Sequence, residues 1–551
     1  MANEEAKERS NEIWSEEDKP ARRDFLRLSG AAFAGAAIAG SIAQAQSDRS
    51  KPSSGLSEWK IQDVRVFGAA GDGVTIDTPA INRAIEFAAG AGGGTVRFPP
   101  GNYLCYSIRL KSNVALYLEQ NAVIIAADPS ASGSGGYDLA EANTAWDAYQ
   151  DFGHNHWHNS LLWGEAIDNF SITGPGLIWG RGLSRGWGAG PVAEHAGVAN
   201  KAIGLKNCRN VILRDFSILK GGHFGILATG VDNLAIDNLK IDTDRDGIDI
   251  DCCRNVRVSN CSVNSPWDDA ICPKSSYALG YPRSTENVTI CNCYVTGAYQ
   301  LGTLLDGTFQ RFDQTTRVSR NGRIKLGTES NGGFKNIAIS NCVFEGCHGL
   351  ALETVDGGLL EDICITNLTM RDLVSSPIFL RLGSRMRGPA GAAVGKLRRI
   401  LVSNVVCSNS KPDFCSIVSG IPGHAIEDIQ INDIYIQHEG GATPEAAAMQ
   451  PPEAADKYPE PDMFGEMPAH GFYIRHARNV SLSNVEVASL KPDARPAFVL
   501  EDVRSADFFR VRTASNPGRP TFALANVEDF SAYRCKNVPD TQLERADRKD
   551  L

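Results

Sequence analysis

One phrase of apolar and polar residues recurs along most of the chain: Asn, apolar, any, apolar, any, Asn or Asp. It reads Asn210-Val211-Ile212-Leu213-Arg214-Asp215, then Asn233-Leu234-Ala235-Ile236-Asp237-Asn238. Asn255-Val256-Arg257-Val258-Ser259-Asn260 and Asn287-Val288-Thr289-Ile290-Cys291-Asn292 continue it. Later copies open at Asn336-Ile337, Asp362-Ile363, Arg399-Ile400, Asp428-Ile429 and Asn479-Val480. The alternation has period two, the signature of a strand with one buried face. A second short run lies between phrases, as in Gly225-Ile226-Leu227, Gly247-Ile248-Asp249-Ile250 and Leu350-Ala351-Leu352. Two of the intervals are 23 and 22 residues, from Asn210 to Asn233 and on to Asn255, and the others are longer by variable amounts. That is a fixed minimal coil with loops inserted at its turns. Short strands with no long helical pattern between them predict an all-β, single-domain right-handed parallel β-helix over about residues 57–539, stabilised by the stacking of neighbouring coils.

An open end of such a stack exposes strand edges and core. The segment Asp77 to Phe87 has the pattern of a short amphipathic helix, with Asp77 or Thr78 as N-cap and Pro79 in the first turn, placed to cap the N-terminal end. The glycine-rich run Gly90 to Gly94 stops it before strand Thr95-Val96-Arg97-Phe98. Residues 540–551 read as a polar C-terminal tail, expected to be disordered. Two stretches lack the phrase and read as long loops: Ala127 to Ser160, with Trp146, His154, His156, Trp157 and His158, and Gln437 to Ala469, rich in Pro and Glu. Long loops on one side of a solenoid commonly wall its binding face.

Residues 1–45 read as a targeting segment. Arg22-Arg23-Asp24-Phe25-Leu26-Arg27 leads into a mildly apolar run from Leu28 to Ile42, and Ala43-Gln44-Ala45 supplies a cleavage site. The twin arginine resembles a Tat export signal, which predicts a periplasmic or secreted protein. The run is too short and too weakly apolar to span a bilayer comfortably, so no stable membrane association is expected after processing. A net charge of −10 argues against nucleic acid as a partner. Of the 14 cysteines, Cys261, Cys293 and Cys342 each follow an Asn at the same point of the repeat. Small apolar side chains stacked along a core explain them better than disulfides or zinc ligands.

The chemistry concentrates in three aspartates. Asp246 lies in Asp244-Arg245-Asp246-Gly247, and the pair Asp268-Asp269 begins 22 residues later, one repeat on. Residues one repeat apart lie on the same face of adjacent rungs, about 4.8 Å apart. Clustered carboxyls raise the proton affinity of one member, as acid–base cleavage of a glycosidic bond requires. The plainer alternative is that each Asp bonds backbone amides at a turn. Asp242-x-Asp244-x-Asp246-Gly247 also looks like the start of a calcium loop, but position twelve is Cys253 rather than Glu and strand phrases flank it, so neither a metal nor a cofactor is called for. In Gly322-Arg323-Ile324-Lys325-Leu326-Gly327 the alternation points Ile324 and Leu326 inward, leaving Arg323 and Lys325 to face out together. Two such cations suit a uronate carboxylate; a solvated basic pair is the alternative.

Over roughly residues 62–510 the chain resembles glycoside hydrolase family 28, the polygalacturonases and rhamnogalacturonan hydrolases. Phe67-Gly68-Ala69-Ala70-Gly71-Asp72-Gly73, Gly92-Gly93-Gly94-Thr95-Val96 and Pro99-Pro100-Gly101 are similar to the family's opening, which other pectin-lyase-like proteins share. The family's Asn-Thr-Asp-Gly appears as Asp244-Arg245-Asp246-Gly247, its Asp-Asp as Asp268-Asp269 and its Arg-Ile-Lys as Arg323-Ile324-Lys325. The resemblance implies inverting hydrolysis of a galacturonate-containing pectic poly- or oligosaccharide, with Asp268 as general acid, Asp246 and Asp269 holding the water, and Arg323 and Lys325 gripping the sugar acid. The chain departs from the family at Asp244 and in lacking Gly-His-Gly, where it reads Thr296-Gly297-Ala298-Tyr299-Gln300-Leu301-Gly302. The second departure leans toward rhamnogalacturonan or another modified galacturonide and makes Tyr299 the candidate for the vacated space. Glu353, with Glu329, Arg381, Arg385 and Arg387, is a candidate for neighbouring subsites, the alternative being ordinary surface or turn positions. Two other functions remain open: a pectic lyase of the same fold, and a non-catalytic carbohydrate-binding solenoid.

Overall fold

In this computed structural model the described residues are 61–551, apart from 130–135, 187–193, 314, 412 and 515–517. The expected targeting segment lies outside them. The strands form two sheets in which almost every pairing is parallel. The recurring phrase is one wall of each coil: Arg209–Arg214, Asp232–Asp237, Arg254–Ser259, Thr285–Cys291 and Phe334–Glu345 stack in register. Val211, Leu234, Val256, Val288 and Ile337 form one inward column, and Leu213, Ile236, Val258, Ile290 and Ile339 the next. All ten are buried. A second column of short strands, Ser217–Leu219, Lys240–Asp242, Ser262–Asn264 and Tyr294–Thr296, forms another wall.

The third wall carries the chemistry. Its strands are β1 (Phe224–Thr229), β2 (Asp246–Asp251), β3 (Ile271–Lys274), β4 (Lys325–Leu326) and β5 (Leu350–Thr354). Ile226, Ile248, Ile271 and Ile324 align across the first four rungs and point into the core. Their outward neighbours therefore share one face, and that face is polar.

The asparagines of the phrase have a backbone reason to be there. Asn210, Asn233, Asn255, Asn287 and Asn336 have φ between 53° and 58°. This left-handed conformation, which turns each coil's corner, is one that Asn tolerates better than most residues. Their amides also bond to one another up the stack: Asn169 to Asn113 at 3.1 Å, Asn210 to Asn169 at 2.7 Å, Asn233 to Asn210 at 2.9 Å.

Helix α1 (Thr78–Gly90) buries Ala80, Ile81, Ala84, Ile85 and Ala88 against strand Gly94–Phe98 and the turns around it. Asp77 stands at the N-cap position but its carboxylate accepts from the amides of Ala70 and Gly71, at 2.7 and 3.0 Å, so it ties down the preceding loop instead of capping. The expectation of a disordered C-terminal tail is overturned. Thr541–Asp550 is a strand that pairs antiparallel with Phe522–Tyr533, because alternation still lets Ala546 reach the core while charged neighbours face out. All fourteen cysteines are free thiols, and Cys261, Cys293 and Cys342 are buried on successive coils. No helix of the described residues is long and apolar enough to cross a membrane.

Candidate active site

Asp246 opens β2, at the corner where the chain enters the polar wall; the pair Asp268-Asp269 occupies the same corner one rung on. Asp246 and Asp269 are buried, and Asp268 is partly exposed. One carboxylate oxygen from each lies within 4.8 Å of the other two. The backbone amide of Asp269 donates to Asp246 at 3.3 Å and to Asp268 at 3.1 Å, which locks the corner. The three open onto a cavity of about 300 Å³, shared with Arg245, Lys274, His154, His223 and Tyr458. A larger concavity of about 490 Å³ beside His470, Asp493 and Arg495 at the C-terminal coils has its one lining aspartate tied to Arg495 at 2.9 Å, so it holds no comparable acid cluster.

The neighbours divide the acids. Burial, then the nearby Asp249 and Asp268, push Asp246 well above the usual carboxylate range. Burial acts the same way on Asp269, but Lys325 and Arg323 outweigh it and hold this carboxyl below its ordinary value. Arg323 Nε donates to Asp269 at 2.8 Å and Lys325 Nζ stands 3.1 Å from its other oxygen. All three side chains are almost fully buried, and removing one partner of such a pair costs on the order of 3–5 kcal/mol. Asp268 instead meets Arg245 at 2.5 Å.

Loop 136–160 roofs the cavity, supplying Asp151, Phe152 and His154. Burial opposes charge on His154, but Glu329 and Asp249 leave its imidazole above the ordinary value; its Nε2 is 3.4 Å from Asp249. Lys274, outward on β3, lies between Asp249 at 3.7 Å and Glu329 at 3.6 Å. His223, which precedes β1, faces the Arg185 carbonyl through Nδ1 at 2.8 Å, and burial, then Arg245, hold it well below the usual imidazole value. A neutral imidazole thus lines the cavity from the rung before Asp246.

The other expected residues separate. Arg323 and Lys325 reach the polar face but are buried against Asp269 and Glu460 and do not line the cavity. Tyr299 is not in the vacated space beside the acids: its hydroxyl bonds Glu345 at 3.0 Å, and Arg311 lies over its ring. Glu353 on β5 is fully buried, 4.0 Å from Lys325, and burial pushes its carboxyl up to about 8. Arg381 is spent on the carbonyls of Gly420, Glu453 and Ala454, Arg385 on Asp356, and Arg387 on Asp151 and Glu329. The aspartates of the calcium-loop pattern diverge: Asp242 accepts from Asn264 and the amides of Gly302 and Leu304, Asp244 meets Arg185, and Asp246 faces the cavity. A further group, Glu141, His158 and Glu165, has the reach to hold a cation, but Lys206 already stands 2.9 Å from Glu165.

Tyr458 and Glu460 come from the Pro- and Glu-rich loop, where no repeat marked individual residues. The loop's length was the one signal that it would wall the site.

Fold and site together define a class: a pectin-lyase-fold protein similar to the polygalacturonases of glycoside hydrolase family 28. A family model described as rhamnogalacturonase A/epimerase, pectate lyase-like, matches residues 61–299. A probable polygalacturonase of Vitis vinifera is 23% identical over 326 residues, 56% of this chain and 60% of that protein's length. The family 28 exopolygalacturonase of Yersinia enterocolitica superposes with a TM-score of 0.59 at 19% identity, over 82% of this chain and 78% of its own. The exopolygalacturonase of Thermotoga maritima gives 0.57 at 18%, over 78% and 92%. At these identities the two structures attest the fold.

Proposed function

We propose that this chain is an exported glycoside hydrolase, periplasmic or secreted, that cleaves galacturonate-containing pectic poly- or oligosaccharide of polygalacturonan or rhamnogalacturonan type. Its scaffold in this reading is a single right-handed coil whose first turn is shielded by α1. The observation that carries the proposal is the meeting of Asp246, Asp268 and Asp269 within 4.8 Å in one roofed cavity, where a glycosidic oxygen and a water can be served by different carboxyls. Asp268, the most exposed of the three, donates the proton to the leaving oxygen. Asp246 and Asp269 hold the attacking water, and the ionised state of Asp269 is supported by Lys325 and Arg323. Asp246, pushed up, and Asp269, held down, interact at close range, so the limbs of a pH–rate profile belong to that pair and not to either residue alone.

The stereochemical course follows from the separation of the acid and the base across the bond, wide for inversion and narrow for retention. Inversion rests on the family resemblance; anomeric NMR of the first product formed separates it from retention. The hydrolase reading is tested with Asp268→Asn. The variant is expected to release reducing sugar from pectic substrate about 10²–10⁴-fold more slowly, with an unchanged circular dichroism spectrum. Turnover equal to that of the parent would sink the assignment.

A further inference from the structure

The basic pair that would grip a sugar acid already holds one. Arg323 pairs through Nη2 with Oε1 of Glu460, and Lys325 Nζ stands 3.6 Å from the same oxygen. The other oxygen of Glu460 lies 3.9 Å from His348 Nδ1. Tyr458 closes the gap between this carboxylate and the cavity. Its ring lies 5.3 Å from the Lys325 ammonium, its hydroxyl accepts from Thr328 Oγ1 at 2.9 Å, and Tyr458 lines the cavity while Arg323 and Lys325 do not.

The lysine and arginine that do line the cavity are engaged as well. Arg245 meets Asp268 at 2.5 Å, and Lys274 lies within 4 Å of both Asp249 and Glu329. Four aspartates, Asp151, Asp246, Asp268 and Asp269, share that lining. A uronate seated there would bring a further carboxylate beside Asp268 and Asp269, with each lining lysine or arginine already matched by a carboxylate of the chain. Repulsion between partly buried charges is screened less than between exposed ones.

We infer that Glu460 fills, from within the chain, the place of a substrate carboxylate, and that the glycosyl unit seated against Asp246, Asp268 and Asp269 is an uncharged sugar of the pectic chain. The inference rests on the glycoside hydrolase reading and narrows it: the bond cut is one whose anomeric carbon belongs to a neutral unit. Galacturonate then belongs on the leaving side or further along the chain.

The test is the identity of the new reducing end. Rhamnogalacturonan and polygalacturonan are digested side by side, the new ends are reduced with borodeuteride, and the labelled alditols are identified by mass spectrometry. Labelled neutral alditols are the expected result. Labelled ends derived from galacturonate overturn the inference while leaving the hydrolase reading intact, and no new ends from either polymer overturn that reading and the inference with it. A second arm uses Glu460→Gln, which removes the internal anion. Free galacturonate, titrated calorimetrically, is expected to bind the variant at least tenfold more tightly than the parent. Equal affinity for the two proteins overturns the role given to Glu460. Should the variant fail to fold, the end-group result on the parent protein still decides the neutral-sugar claim.

Discussion

At the scale of single residues, the buried acids of the polar face differ in how far their charge is met. Arg323 donates to Asp269 and pairs with one oxygen of Glu460, and Lys325 meets the other oxygen of Asp269. Glu353 does not share in this: both its oxygens are buried without a hydrogen-bond partner, and Lys325 is 4.0 Å away. Burial therefore dominates, with Lys325 and Arg323 opposing it, and the carboxyl titrates at about 8 against an ordinary 4.5. A carboxyl raised on folding contributes stability that is fully present below 4.5 and is lost as pH rises toward 8, because the unfolded chain releases its proton first. Glu353→Gln mimics the protonated form. Its unfolding midpoint should match the parent's near pH 4.5, exceed it increasingly up to about pH 8, and run parallel above that. The gain should not exceed about 1.4 kcal/mol per pH unit. Thermal or urea denaturation across that range checks this; curves parallel from pH 4.5 to 8 would remove Glu353 from the titrating set.

At the scale of the coil, the repeat was legible because its cause is local. Asn at a left-handed corner and alternating apolar residues both leave their mark within a single phrase, so the strands, their register and the adjacency of Asp246 to Asp268-Asp269 could be read from spacing. What covers the face could not. Tyr458 meets Lys325 from 133 residues away, Glu460 meets Arg323 from 137, and Asp151 meets Glu329 from 178. No periodicity relates such residues, which is why Arg323 and Lys325 read as open to a ligand and proved to be covered. Tyr299 went astray for a related reason, since its position depends on the path of the excursion between Thr296 and Arg323. The local part of the argument makes its own prediction. At Asn233, φ 55° and exposed, Ala should cost about 1–2 kcal/mol of stability because its Cβ strains the left-handed corner. Gly loses the same amide bond to Asn210 without that strain and should cost less. Urea midpoints of Asn233→Ala and Asn233→Gly decide it; an Ala variant as stable as the Gly variant would show that the ladder, not the backbone, selects Asn.

At the scale of the whole molecule, a stack of parallel coils is stable only where each coil has a neighbour, so its ends need separate solutions. At the C-terminal end the last apolar layer is aromatic: Phe498 stacks on Phe522 at 5.1 Å, and Phe508 and Phe530 pack at 5.7 Å. The strand Phe522–Tyr533 would expose its free edge and that layer to solvent, a template for pairing with another chain. Thr541–Asp550 folds back antiparallel over it, and Leu551 continues the pairing to Thr521 and Phe522. The composition that made this segment look disordered is what suits it to the task. Arg545, Asp547, Arg548, Lys549 and Asp550 face solvent and disfavour addition of a further strand, while Ala546 closes the core. Removal of residues 541–551 is therefore expected to produce concentration-dependent association, seen by light scattering after size exclusion, together with a lower unfolding temperature. Turnover per folded molecule should be preserved, because the acid cavity is built from Asp246, Asp268 and Asp269, many coils away from the deleted strand. A truncated chain that stayed monomeric at high concentration and melted with the parent would show that the aromatic end layer sustains itself, and that the terminal strand is an ornament on a coil already closed.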